Sequence, residues 1–169
     1  MQAILTIGVS ASGKSTWAKE YVANKVIDNE KWLVINQDDI RLSIISVDNG
    51  HTIDEVQNLK SWNYDPEGIA ENRVKEIWNH LVKNAISDNY DGIIICDTNL
   101  DGGVKKIDKL INFGLEHIST KMFPITMEEA LLRDSNRKFS VGKAVLKMQF
   151  NKLDNFLASQ TTKPKKLKV

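Results

Sequence analysis

Gly8-Val9-Ser10-Ala11-Ser12-Gly13-Lys14-Ser15 sets two glycines, a lysine and a hydroxyl at the spacing G-x-x-x-x-G-K-[ST]. That spacing suits one task, the cradling of a nucleotide's phosphates. The backbone N–H groups of Ser10, Ala11, Ser12 and Gly13 can wrap a β-phosphate only if the chain turns through positive φ and approaches closely, hence the glycines. A helix opening near Lys14 would aim its positive end at the anion, with Thr16 in its first turn. Lys14 can bridge the β- and γ-phosphates, and the Ser15 hydroxyl can sit on Mg²⁺. The cofactors expected are therefore ATP and Mg²⁺.

Three further clusters carry charge where a phosphoryl transfer needs it. Gly92-Ile93-Ile94-Ile95-Cys96-Asp97 is an apolar run ending in a carboxylate. If it is a parallel strand, Asp97 points into the ligand crevice and reaches the metal shell; the ordinary alternative is a turn or capping aspartate. Thr98 and Asn99 add polar groups beside it. Val34-Ile35-Asn36-Gln37-Asp38-Asp39-Ile40-Arg41 places two carboxylates at the end of another apolar run. One of Asp38 and Asp39 can take the proton of an attacking alcohol while the other caps the helix that follows. Arg41, one turn on, can grip an anionic group on the acceptor. Finally, Arg133 and Arg137 stand four residues apart, on one face of an expected helix. Either they form surface pairs with neighbouring acids, or they close as a lid on the transferring phosphoryl group. Ser140 to Gly142 would then be the hinge.

These clusters need a scaffold that brings them to one place. The pattern gives strands at 3–7, 32–36, 93–96 and 118–123. Helices are expected at 15–26, 39–45, from Pro66 to about Ser87, 104–113, 127–138 and 145–157. The segment 46–64 is polar, rich in Asn and Asp, and reads as irregular. Trp62 and Tyr64 within it are expected to anchor the loop. Helices alternating with continuous apolar strands mean an α/β fold: a central parallel sheet of about four strands flanked by helices, with a helical lid.

The 169 residues fit one domain, taken as 1–158, with a basic C-terminal tail at 159–169 that holds four lysines between Lys163 and Lys168. The tail reads as a solvated terminus or a basic arm. With 23 Lys+Arg against 22 Asp+Glu the net charge is +1, so a surface that coats duplex nucleic acid is not expected. One cysteine, Cys96, excludes an intramolecular disulfide and suits a reducing cytoplasm. No segment has the length or flanks of a membrane helix or signal peptide. His51, His80 and His117 lack metal-ligand spacing.

Taken together, the clusters resemble the kinase domain of the phage polynucleotide kinase-phosphatase family. The likeness is carried in order by Ile4-Leu5-Thr6-Ile7-Gly8, Ser12-Gly13-Lys14-Ser15-Thr16-Trp17-Ala18, Asn36-Gln37-Asp38-Asp39-Ile40-Arg41, Asp97-Thr98-Asn99-Leu100 and Arg133-Asp134-Ser135-Asn136-Arg137. The helix from Ala144 to Leu153 extends it. The resemblance implies a P-loop polynucleotide 5′-hydroxyl kinase with Asp38 as general base and Arg41 on the phosphate next to the 5′ nucleoside. It further implies Asp97 supporting the metal and lid, and Arg137 on the donor phosphates. It implies single-stranded or frayed 5′-OH ends of DNA or RNA as partners, the host cytoplasm as location, and leaves room for a homo-oligomer. The phosphatase half of the family has no counterpart in these 169 residues, so action on 3′-phosphates is not expected of them. Segment 47–64 and the Asp101-Gly102-Gly103 loop depart from the family pattern. Two other classes share these features: a kinase of small alcohols, and a nucleotide-dependent switch without transfer.

Overall fold

The computed structural model describes residues 1–50, 52–58, 69–101, 103–137 and 140–161. The expectations for His51, Trp62, Tyr64, Pro66, Gly102, Lys138 and the lysines of the tail fall outside them.

Four strands, β1 (Gln2–Ile7), β2 (Trp32–Ile35), β3 (Gly92–Ile95) and β4 (His117–Met122), form one sheet in the order β2-β3-β1-β4. Every pairing is parallel, with Ile4 opposite Ile94 and Ser119, and Val34 opposite Ile94. The reason lies in the sequence of β3. Ile93, Ile94 and Ile95 are each 0% exposed, and a strand apolar on both faces is stable only when helices cover both. Each such side chain is worth roughly 1.5–3 kcal/mol relative to exposure.

Side-chain alternation sorts the two faces. Ile4, Trp32, Ile94 and Cys96 face α1 (Lys14–Ile27) and its Ala18. Trp17, Tyr21 and Trp32 interlock there with ring centroids 5.0–5.1 Å apart. On the other face Leu5, Ile35, Ile93 and Ile95 meet three helices: α2 (Gln37–Asn49), α4 (Ile69–Ser87) and α5 (Gly103–Asn112). At the C-terminal end of the strands, Ile7, Val9 and Leu100 pack on Ala130 of α6 (Met127–Ser135) and Leu146 and Leu153 of α7 (Lys143–Thr161).

Three expectations are corrected. The segment 46–64 is not irregular throughout. Helix α2 runs on to Asn49 and ends at Gly50 in the left-handed region, and α3 (Ile53–Asn58) follows. Thr52 starts α3 with a capping box, its N–H donating to Glu55 at 2.7 Å and its hydroxyl accepting from the Glu55 N–H at 3.3 Å. Helix α6 stops at Ser135, three residues short of the expected end. Helix α7 runs to Thr161, past Leu157 and into the stretch assigned to the tail.

Candidate active site

The strands' C-terminal ends open on a cleft of about 790 Å³, which brings together Lys14, Asp38, Arg41, Asp97, Arg133 and Arg137. Ser10, Ala11, Ser12, Gly13, Ser15 and Thr16 line it as well. Helices leave β1 and β3 toward opposite faces, so the crevice between these strands is the switch point at which such sheets bind ligands. A second depression of about 870 Å³ lies at the strands' other end, beside Gln2, Tyr90, Asp91 and His117, and gathers none of the loop residues.

The loop from Gly8 to Ser15 joins β1 directly to α1. Ala11 has φ 62° and Gly13 has φ 94°. Gly13 caps α1 with no side-chain hydrogen bond, so the first amides of the helix open into the cleft. A Cβ on Gly8 would stand 2.9 Å from Ser12 Oγ and 3.0 Å from the Phe123 carbonyl, so the close turn admits only glycine. Lys14 lies 8% exposed within the loop, its Nζ donating to the Val9 carbonyl at 2.6 Å. Burial pushes its ammonium down to about 8, with Arg137 adding to the push. Ser15 is exposed to the cleft, and its Oγ accepts from the Cys96 thiol at 3.7 Å. Burial pushes that thiol's pKa up, so it stays protonated. The uncapped helix end, the enclosed lysine and the open hydroxyl fit a nucleotide's phosphates with Mg²⁺; Ser15 is the hydroxyl available to hold the ion.

The start of α2 lines another part of the cleft. The expectation that an aspartate caps this helix is corrected. Asn36 has the extended cap conformation, and its side chain accepts from the N–H groups of Asp38 and Asp39. Both aspartates are thereby free of capping, in the first turn and in the cleft. Desolvation by the cleft wall, then the charge of Asp38, pushes the Asp39 carboxyl above its ordinary range. Arg41 is largely buried, its guanidinium bound by Asp38 and, at 2.6 Å, by Glu71 of α4. Glu71 was not legible in the sequence because it comes from another helix.

Asp97 lies in the turn just past β3, in the cleft, and its carboxylate is engaged by protein. Oδ1 accepts the Gln37 N–H at 2.9 Å and Oδ2 accepts from Lys106 at 2.6 Å. Through these bonds the carboxylate ties the turn after β3 to α2 while still lining the cleft. Lys106, on α5, carried no motif signal.

Arg133 and Arg137 both reach the cleft, but not from one helical face as expected. Helix α6 ends between them. Arg133 pairs with Glu129 at 2.5 Å, and its Nη1 lies 3.8 Å from where a Gly13 Cβ would be. Arg137 follows the helix and stands 3.6 Å from Asp134. The helix stops because Asp134, 2% exposed, folds the chain back on itself. Its carboxylate accepts from the Ser140 hydroxyl at 2.5 Å and from the N–H groups of Val141 and Gly142 at 3.1 and 3.0 Å. Ser140 to Gly142, the expected hinge, is thus fastened to the end of α6 by Asp134. Burial pushes the Asp134 carboxyl up, but these hydrogen bonds prevail and hold it below the ordinary range. From α7, Gln149 Oε1 accepts the Ser10 N–H at 2.6 Å and fastens the phosphate loop.

A parallel sheet in this order, with a phosphate loop after β1 and arginines over it from a helical cover, is a P-loop kinase fold. The AAA domain family model matches residues 4–149, and the chain belongs to that family; its P-loop implies nucleotide binding. Among solved structures, one in the Pnkp1/Rnl/Hen1 RNA repair complex aligns with a TM-score of 0.65 and 20% identity, over 94% of this chain and 45% of that one. A gluconokinase from Sinorhizobium meliloti 1021 aligns with a TM-score of 0.50 and 16% identity, over 90% of this chain and 74% of that one. Kti12 from Chaetomium thermophilum, in complex with ADP-AlF3, aligns with a TM-score of 0.54 and 13% identity, over 89% and 79%. At these identities the likeness is one of fold. The chain spans less than half the length of the RNA repair protein it matches. Among the described residues, no helix is long and apolar enough to cross a membrane.

Proposed function

We propose that the protein is a polynucleotide 5′-hydroxyl kinase, transferring the γ-phosphoryl group of ATP to the 5′-OH end of single-stranded or frayed DNA or RNA. The observation that carries this reading is the pairing of Asp38 with Arg41 on the cleft wall, in the same cleft as the phosphate loop. A carboxylate beside a guanidinium suits an acceptor that is at once an alcohol and an anion. A 5′-terminal nucleotide is such an acceptor, with its 3′-phosphodiester as the anion.

In this reading Asp38 takes the proton of the 5′-hydroxyl as its oxygen bonds to the γ-phosphorus. The bond from the γ-phosphorus to the β–γ bridging oxygen breaks, and ADP leaves. Lys14 and the loop amides hold the β- and γ-phosphates, and Arg137 offsets the charge that builds on the moving group. Mg²⁺, when bound through Ser15, neutralises the same oxygens. Arg41 fixes the acceptor by its phosphodiester.

The test is label transfer from γ-labelled ATP with Mg²⁺, offered to a 5′-OH oligonucleotide, its 5′-phosphorylated counterpart, and small alcohols including gluconate and nucleosides. Label on the 5′-OH oligonucleotide alone is expected. Label on small alcohols alone, or on no acceptor, contradicts the proposal.

A further inference from the structure

We propose that Lys106 is a positioning residue, which sets the donor and acceptor halves of the cleft at reacting distance. The donor half is β1, the phosphate loop and α1; the acceptor half is β2 and α2. Between them runs the turn that leaves β3, Cys96 to Asn99.

The turn is tied to the donor half largely through main-chain groups. The Gly8 N–H donates to the Thr98 carbonyl at 3.2 Å. Thr6 Oγ1 donates to the Asp97 carbonyl at 2.8 Å, and Asn99 Nδ2 to the Thr6 carbonyl at 2.8 Å. On the acceptor side the Cys96 N–H donates to the Ile35 carbonyl at 2.8 Å, and the ties to the start of α2 run through side chains. Asn36 Nδ2 donates to the Cys96 carbonyl at 2.8 Å, and the Gln37 N–H donates to Asp97 Oδ1 at 2.9 Å. The second of these holds only while the Asp97 carboxylate keeps its orientation.

Lys106 fixes that orientation. An ammonium has three N–H donors, and here they have three acceptors on two elements. Asp97 Oδ2 lies at 2.6 Å and Asn99 Oδ1 at 2.9 Å, both in the turn; Gln37 Oε1, on α2, lies at 3.0 Å. Side chains with 18% exposure for Lys106 and 12% for Asp97 leave the pair little screened by water. Asn99 has φ 52°, a left-handed conformation that asparagine tolerates in turns. Without the ammonium, the turn stays fastened to the phosphate loop, while the start of α2, with Asp38, keeps only the Asn36 bond to the turn and is free to shift. A shift of about 1 Å there would cost about 100-fold in rate without touching the nucleotide.

The transfer part of this inference rests on the proposed function; the positional part does not. Amide hydrogen exchange is to be compared in the wild type, Lys106→Met and Lys106→Arg, together with nucleotide affinity and turnover on the acceptor the wild type uses. In Lys106→Met, exchange at the Gln37 amide is expected to quicken at least about tenfold relative to β1 and β3 amides. ATP affinity should stay within about twofold and kcat fall about 10- to 100-fold. Lys106→Arg should restore most of both. Should Lys106→Met not fold, Gln37→Ala, which removes one of the three acceptors, is expected to shift kcat in the same direction by a smaller factor. Unchanged Gln37 protection, or nucleotide affinity lost in step with kcat, overturns the inference. Wild-type protein inert toward 5′-OH ends, but with exchange responding as described, overturns the proposed function and leaves the brace standing.

Discussion

The Arg41 guanidinium is held from two sides, by Asp38 one turn back on its own helix and by Glu71 of α4. The two carboxylates take two of its five N–H donors and leave donors for the phosphodiester of the proposed acceptor. They also set its plane, so Asp38 and Arg41, the proposed base and anchor, are fixed relative to each other.

Replacing Arg41 should separate anchoring from chemistry. Arg41→Ala removes a charge-assisted hydrogen bond to the acceptor, worth about 1.5–3 kcal/mol. The acceptor KM should rise about 10- to 100-fold while ATP affinity is unchanged. Arg41→Lys should recover little, since an ammonium cannot reach both carboxylates and a phosphate with the same geometry. The check is the dependence of rate on oligonucleotide concentration; an unchanged curve removes Arg41 from acceptor binding.

Asp134 should give the lid a recognisable pH signature. Hydrogen bonds from Ser140, Val141 and Gly142 hold its folded-state pKa below the unfolded value. A depressed carboxyl contributes stability that is fully present above the unfolded pKa, about 4, and is lost as pH falls through the folded value. Asp134→Asn should cost about 1.5–3 kcal/mol near neutral pH. Its difference from the wild type should shrink as urea unfolding is followed below about pH 4. Loosening of the turn should also lower kcat through Arg137. A stability difference that does not change with pH contradicts this assignment.

The local rules were legible; the long-range ones were not. The four strands lie within a residue or two of their expected ends, because a strand such as β3, apolar at every position, has one stable environment. The phosphate loop was legible because its function needs fixed residue types at fixed spacing. Along Asn36, Asp38 and Asp39 any residue can cap a helix, and the backbone, which the sequence pattern does not reveal, chose Asn36. Helix α3 carries a capping box at Thr52 and Glu55 that the polar composition of its segment concealed. Glu71, Lys106, Asp134 and Gln149 act on groups that other elements or turns deliver. Gln149 meets Ser10 across 139 residues. No periodicity or spacing encodes such a meeting, and the end of α6 at Ser135 follows from one of them.

In the proposed reaction Asp38 removes the acceptor's proton opposite a nucleotide held by the phosphate loop. The most direct measurement pairs two readings on Asp38→Ala: ATP affinity by equilibrium binding, and label transfer to the acceptor. General-base removal costs about 10²- to 10⁴-fold in rate. The expected result is transfer reduced by that factor with ATP affinity within about twofold of the wild type. Transfer at the wild-type rate in the variant would contradict the account.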